Sequence, residues 1–260
     1  METSTALHER HELLGLSIDA LTMAQAVDRC RTAIQRREYL SVGVVNAAKV
    51  MTMQRDTQLR EAVTDCQMVL ADGQSVVWAS RILRVPLPER VAGVDLFLEL
   101  LAEAAHRGYR VYFLGARRDV LARMLEEINR QFPGLQVAGA CDGYFPPDEE
   151  YSIAEKIRRS GAQLLFVGMS SPKKELFVHR WGKTTGALVV HGVGGSFDGL
   201  AGLAKRAPLS WQHKGLEWLY RALQEPRRLG PRYLKTNFAF IALTTRESLW
   251  QRIGRRPIRS

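Results

Sequence analysis

The chain has 260 residues, of which 46% are hydrophobic and 25% charged, a composition typical of an ordinary globular protein. This length accommodates one large α/β domain and a small appendage. The longest apolar run near the C-terminus, Phe238 to Leu243, is far shorter than the ~20 residues of a transmembrane helix. The stretch from Met1 to Leu14 is polar and charged and has no long apolar core, so we do not expect it to be a signal peptide. We therefore expect a protein that does not cross a membrane.

Cysteine and histidine usage argues against a disulfide framework and against a metal centre. The three cysteines, Cys30, Cys66 and Cys141, are far apart and form no C-x-x-C pair. They predict buried or inert thiols in a reducing cytoplasm. The six histidines form no metal-ligand spacing, and there is no Asp-x-Asp pair of the kind that holds a divalent metal in many sugar transferases. We therefore predict no metal and no cofactor.

Short apolar runs alternate with amphipathic stretches over the first four-fifths of the chain, and this alternation predicts a parallel sheet covered on both faces. The predicted strands are 40–45, 68–71, 110–114, 135–140, 164–167 and 188–191. The predicted helices are 21–36, 47–64, 73–83, 93–107, 119–131, 149–160 and 172–184. We predict a Rossmann-like α/β domain over residues 1–204, with ligands bound beyond the carboxyl ends of the strands.

Polar or small residues follow five of the predicted strands, at Asn46, Asp72, Gly115, Gly168 and Gly192. Small residues let the backbone approach a phosphate, and a following helix N-terminus supplies free N–H groups. The shared rim therefore predicts a nucleotide-binding crevice. Asp72 fits two interpretations, a general base at the crevice or the N-cap of the next helix.

Arg90, in the loop before the fourth predicted helix, fits a phosphate clamp or a solvated loop charge. Two further glycine patterns predict no nucleotide loop. The G-x-G-x-x-G spacing from Gly192 would need glycine at Phe197, and a Walker A loop that ends at Gly182-Lys183-Thr184 would need glycine at Phe177.

The excess positive charge is confined to the last fifth of the chain. Residues 205–260 contain 13 lysines and arginines and 3 acidic residues, whereas residues 1–204 contain 24 of each sign. This imbalance predicts one anionic partner: phospholipid, pyrophosphate or nucleic acid. A helix with an apolar stripe is predicted at 233–250, and the basic residues of the region are interleaved with Trp, Tyr and Leu. That mixture fits a membrane-associating appendage or a helical cap packed on the main domain.

An ordered set of motifs over about residues 10–240 resembles the WecG/TagA/CpsF glycosyltransferase family (glycosyltransferase family 26). The matching segments are Val45 to Val50, Ala71 to Trp78, Glu89 to Asp95, Phe113 to Ala116, Gly143 to Phe145, Gly168 to Glu175, Gly192 to Asp198, Arg206 to Pro208, Gly215 to Arg221 and Glu225 to Arg228.

The resemblance implies an inverting, metal-independent transfer of a hexose from a UDP-sugar to a sugar linked to undecaprenyl diphosphate. It implies two catalytic residues, Asp72 as the base and Arg90 in the same pocket. The donor pocket that it implies contains Asn46, Gly115, Gly168, Lys174, Glu175, Gly192, Gly194, Phe197 and Asp198. The implied residues that face the lipid acceptor or the membrane are Arg206, Arg221, Arg228 and Arg232.

Two residues depart from the family pattern: Val44 stands where the family often has Thr, and Lys174 where it usually has Gln. Lys174 adds a cation to the implied pocket, and we favour glucose as the donor sugar, as in the xanthan-type exopolysaccharide branch. N-acetylmannosamine and its uronate also fit. The expected location is the cytoplasmic face of the bacterial inner membrane, as a peripheral protein, and a homo-oligomer is compatible with the sequence.

Two functions of other classes remain open on the sequence. A nucleic-acid-binding protein would also use a basic, aromatic tail, although our expectation is that nucleic acid is not the partner. A nucleotide-sugar-binding subunit without catalytic activity would use the same crevice.

Overall fold

A computed structural model of the chain describes residues 9–203, 207–208, 210–211, 215–224 and 226–253, without the side chains of 221, 226–229 and 231–233. An antiparallel hairpin, β1 (Arg10–Leu13) and β2 (Leu16–Asp19), precedes a six-stranded parallel sheet. The sheet contains β3 (Leu40–Val45), β4 (Met68–Ala71), β5 (Arg110–Gly115), β6 (Gln136–Cys141), β7 (Leu164–Gly168) and β8 (Val189–Gly192), in the spatial order β4-β3-β8-β7-β5-β6.

Helices cover both faces of the sheet. They are α1 (Met23–Arg36), α2 (Ala47–Met53), α3 (Thr57–Thr64), α4 (Gln74–Ile82), α5 (Gly93–Arg107), α6 (Arg118–Gln131), α7 (Glu150–Ser160), α8 (Lys173–Trp181), α9 (Ser196–Leu200), α10 (Glu217–Gln224) and α11 (Pro226–Arg252). The Rossmann-like α/β prediction is therefore confirmed, with additional helices at the C-terminus.

The central strands are mostly apolar because both of their faces are buried, and Ser41 in β3 and His191 in β8 are buried polar exceptions. In β7, Leu164 and Phe166 point into the core beneath α1, α5 and α6, and Leu165 and Val167 point into the core beneath α7 and α8. A third core cluster lies beneath α2, α3, α4 and the hairpin. The paired strands of the sheet are all parallel, so their carboxyl ends lie at one edge of the sheet, the rim.

Three local features differ from the sequence prediction. The helix predicted at 47–64 is two helices, because the Asp56 side chain accepts a hydrogen bond from the Leu59 N–H at 2.9 Å and begins α3 as its N-cap. The hairpin β1–β2 was not predicted, since its strands have only four residues each. The helix predicted at 233–250 begins earlier, at Pro226, where proline is tolerated in the first turn.

The last helix is anchored to the sheet domain by one buried aromatic ring. Phe240 of α11 is buried in the same core cluster as Val50 of α2 and Val77 of α4. Helix α11 therefore packs against α2 and α4 beside the strand rim. No helix in the described ranges is long and apolar enough to span a bilayer.

The buried carboxylate of Asp19 holds the hairpin against the sheet. It accepts hydrogen bonds from the Val69 N–H at 2.8 Å and from two guanidinium groups, those of Arg10 and Arg29. Since removal of one partner from a buried ion pair leaves the other charges uncompensated, this carboxylate stabilises the contact between β2 and β4.

We expect Asp19→Ala to lower the free energy of unfolding by about 2–4 kcal/mol, because the Val69 N–H loses its acceptor and two arginines keep only their bonds to backbone carbonyls. Urea denaturation measures the change. Asp28→Ala is the matched control, because Asp28 is exposed and pairs with Arg31 on one helix surface. Equal losses in the two variants would contradict this account.

Candidate active site

A cleft of about 1270 Å³ opens at the carboxyl ends of β3, β4 and β8. Its described walls come from the starts of α2, α4 and α5, the loop between β8 and α9, and the C-terminal helices α10 and α11. Ligands of open α/β sheets bind at such a rim. The cleft is large enough for a nucleotide and a second substrate.

The Asp72 carboxylate lies in this cleft and accepts hydrogen bonds from two other segments. Its Oδ1 atom accepts from the Gly93 N–H, at the start of α5, at 2.8 Å. Its Oδ2 atom accepts from the Asn46 side-chain amide, after β3, at 3.3 Å. Helix α4 has Gly73 as its N-cap, without a side-chain bond, so Asp72 does not cap that helix. A carboxylate has about four acceptor positions, so Asp72 retains capacity for a ligand hydroxyl.

The Asn46 side chain is oriented by its role at the start of α2. Its Oδ1 atom accepts a hydrogen bond from the Lys49 N–H at 3.0 Å, which makes Asn46 the N-cap and leaves the amide N–H groups for Asp72. Position 73, which follows Asp72, must be glycine, because a Cβ there would lie 2.9 Å from the Asn46 Cβ. Backbone packing thus brings Asn46 and Asp72 together.

Arg90 faces the cleft and pairs with the first residue of α10. Its guanidinium lies 3.1 Å from the Glu217 carboxylate and 3.8 Å from that of Asp95. The pair with Glu217 joins residues 127 positions apart, so it connects the C-terminal region to the rim. Arg90 is therefore not a freely solvated loop charge. A phosphate in the cleft would have to share or replace the Glu217 carboxylate.

Two lysines whose side chains are 9% and 10% exposed, Lys49 and Lys174, share one carboxylate at the base of the cleft. Glu175 Oε1 lies 2.7 Å from Lys49 Nζ and 2.6 Å from Lys174 Nζ. Burial alone would raise the pKa of Glu175, but the two ammonium groups outweigh it and hold the pKa at about 2. Burial, and then the charge of Lys49, lower the pKa of Lys174. The cluster carries two cations and one anion, and both lysines line the cleft.

The other predicted donor residues are divided between the cleft and the core. Gly192, Gly194 and Asp198 line the cleft. Phe197 is fully buried and packs against Phe97 and Phe113.

Gly115 and Gly168 are outside the described walls of the cleft, and packing explains both glycines. A Cβ at Gly168 would lie 2.3 Å from the Phe197 ring, and one at Gly115 would lie 2.5 Å from the Gly168 backbone. Glu175 reaches the cleft only through its lysines.

The four appendage arginines are only partly within the described structure. Arg206 lies outside the described residues. Arg221 is in α10, and Arg228 and Arg232 are in α11, but their side chains also lie outside the described part of the chain.

Apolar residues of α4 and α11 form one edge of the cleft, which we call the apolar rim. The sequence predicted an apolar stripe on the last helix, but not that this stripe lines the cleft together with α4. The side chains of the apolar rim line the cleft yet are about half exposed or more, with Phe238 at 71%. They are Trp78, Ile82, Leu234, Phe238 and Ile241. They are four residues apart in α4, and four and three apart in α11, which is the spacing of residues on one helix face. Lys49, His191 and Glu217 were also missed, because single charged or polar residues carry no pattern.

Within the described residues, no three His, Cys, Asp or Glu side chains come together in a way that could hold a metal ion.

We expect Glu175→Gln to destabilise the protein by about 3–5 kcal/mol at neutral pH, because two largely buried ammonium groups lose their carboxylate. The Glu175 pKa is lower in the folded protein than its ordinary value of 4.5. The ion pairs therefore contribute fully above about pH 4.5, and their contribution is lost as the pH falls toward about 2.

The measurement is urea unfolding of wild type and variant across this pH range, with the exposed Glu126→Gln as control. The difference between wild type and Glu175→Gln should shrink in acid. A difference that does not change with pH would refute the assignment.

A comparison with protein families shows to which family the chain belongs. The family model described as "Glycosyl transferase WecG/TagA/CpsF family" matches residues 11–254, which include the hairpin, the sheet and helices α10 and α11. Membership implies a sugar-nucleotide donor and a lipid-linked acceptor in surface polysaccharide synthesis. The chain belongs to the WecG/TagA/CpsF family and is a glycosyltransferase.

Proposed function

We propose that this enzyme is an inverting, metal-independent hexosyltransferase that uses a UDP-sugar and a sugar acceptor linked to undecaprenyl diphosphate. One observation carries the proposal: the Asp72 carboxylate lies at the strand rim, in the cleft, fixed by Asn46 and Gly93. A carboxylate held in this way is a suitable general base for an attacking hydroxyl.

The proposed reaction is a single displacement. The acceptor hydroxyl gives its proton to Asp72 as its oxygen forms a bond to the anomeric carbon. The bond from that carbon to the diphosphate oxygen breaks on the opposite face, and its electron pair leaves with UDP. The anomeric configuration is inverted because one displacement occurs.

Cations of the protein balance the charge of the leaving diphosphate. Arg90 and Lys174 both line the cleft, and the loop from Gly192 to Gly194 presents its backbone beside Lys174. Positive groups preorganised around a developing charge lower the barrier without reorganisation. The Glu217 carboxylate now paired with Arg90 would exchange with the diphosphate when the donor binds.

The C-terminal region, residues 205–260, is proposed as an appendage that covers the cleft at the cytoplasmic face of the bacterial inner membrane. The apolar rim would contact acyl or prenyl chains, and the excess of basic residues would face lipid phosphates. The lipid-linked acceptor would then enter from the bilayer side, and the UDP-sugar from the cytosol.

Asp72→Asn should lower kcat by about 10²–10⁴-fold, because the amide cannot take up the proton. The assay is sugar transfer to a short-chain lipid diphosphate monosaccharide, first with UDP-glucose and then with UDP-N-acetylmannosamine and its uronate, in the presence of EDTA. The exposed Asp28→Asn is the matched control. Near-normal transfer by a folded Asp72→Asn protein would rule out this base.

The same assay separates the rival functions. Binding of UDP without turnover on any acceptor would favour a non-catalytic subunit. Salt-dependent binding of an oligonucleotide, without binding to anionic vesicles, would favour a nucleic-acid-binding protein. Loss of transfer in EDTA that added metal restores would contradict metal independence.

Ile241→Glu should weaken sedimentation with vesicles that contain anionic phospholipid by at least about tenfold, because a charge replaces an apolar contact. Its KM for the lipid acceptor should rise. Val137→Glu is the control, since Val137 is a similarly exposed apolar residue at the start of β6, away from the rim. Unchanged vesicle binding by Ile241→Glu would favour a helical cap without a membrane role.

A further inference from the structure

His191 is a fully buried, polar residue in the middle of the sheet. It lies in β8, between Val42 of β3 and Phe166 of β7. Its ring meets the Phe166 ring edge-on at a centroid distance of 6.4 Å. The described walls of the cleft include its neighbour Gly192 but not His191 itself, whose ring is fully buried.

The imidazole makes one short contact with the start of α5. Its Nε2 atom lies 2.9 Å from the Gly93 carbonyl oxygen. A carbonyl oxygen can only accept, so Nε2 carries the proton and donates. Burial lowers the pKa of His191 to about 4, so the ring is neutral at physiological pH.

The carbonyl and the N–H of Gly93 are both hydrogen-bonded, and these two bonds connect His191 to Asp72, the proposed base. Its carbonyl accepts from His191, and its N–H donates to Asp72 Oδ1 at 2.8 Å. A Cβ at Gly93 would lie 3.4 Å from Val44 and 3.6 Å from the imidazole. The first residue of α5 therefore lies close to β3 and β8.

We propose that His191 is a positioning residue that fixes Gly93, and through it the direction of the Asp72 carboxylate, for attack by the acceptor hydroxyl. This inference rests on the proposed role of Asp72 as base. His191 itself contacts neither substrate. Displacement of a base by a fraction of an ångström lowers the rate of proton transfer more than it lowers substrate affinity.

The Gly93 carbonyl keeps a second lone pair for the intrahelical bond of α5 when His191 is replaced. The effect of a substitution should therefore fall on the position of Gly93 rather than on the formation of the helix. A loss of kcat in a variant that still forms α5 would therefore indicate a positioning role and not a purely structural one.

The kinetic test compares His191→Leu, which removes the donor, with His191→Gln, whose amide can donate in its place. We expect His191→Leu to lower kcat by about 10–100-fold with little change in KM for the UDP-sugar, and His191→Gln to recover most of kcat. Val189→Ala, in the same strand and in the core, controls for lost stability. It should lower the melting temperature and keep kcat.

Wild-type kcat in His191→Leu, or equal losses in the Leu and Gln variants that track their melting temperatures, would overturn the inference. A second measurement uses the unmodified protein: ¹⁵N NMR of the His191 ring should show a neutral ring protonated on Nε2 between about pH 6 and pH 8. A charged ring or a proton on Nδ1 would also overturn it. If Asp72→Asn is active, the assignment of Asp72 as the base fails and this inference fails with it; if Asp72→Asn is inactive and His191→Leu is normal, only this inference fails.

Discussion

The Asp72 carboxylate accepts hydrogen bonds from two distant segments, and this shared acceptor joins the end of β3, the end of β4 and the start of α5. Each donor is itself held elsewhere, Asn46 by its cap on α2 and Gly93 by His191. The fold thus fixes the position of the Asp72 carboxylate, since Asp72 lies where the ends of parallel strands meet the starts of the following helices. In the proposed reaction, a carboxylate preorganised in this way would accept the proton without rearrangement of the site.

Opposite charges are paired in the cleft and at its base. Glu175 compensates one of two largely buried lysines, and Glu217 compensates Arg90. The second pair includes Glu217 of α10, so the position of the C-terminal region determines whether Arg90 is paired with this carboxylate or available to a ligand. In the proposed reaction, the anionic donor would displace Glu217 from Arg90.

Much of the fold follows from the sequence because the central strands are buried on both faces. Runs such as Leu164 to Val167 are apolar without alternation, and the predicted bounds agree with the observed strands within about two residues. The hairpin β1–β2 gives no such signal. Its strands are short, and the Asp19 network that stabilises it joins residues far apart in sequence.

The site was predictable in part. Asn46 and Asp72 follow strands that share a rim, so their proximity follows from the parallel sheet. Lys49 and Glu175 are 126 positions apart, and Arg90 and Glu217 are 127 apart, so nothing local in the sequence pairs them. Phe197 lies in a glycine-rich stretch that resembles a ligand loop, but its ring fills the space that Gly168 leaves.

The most direct test of the central claim is a crystal structure of the enzyme with a UDP-sugar analogue and a short-chain lipid acceptor. We expect the acceptor hydroxyl within about 3 Å of an Asp72 carboxylate oxygen, on the face of the sugar opposite the diphosphate. Binding of UDP on the far side of the sheet, or an acceptor hydroxyl out of reach of Asp72, would contradict the account.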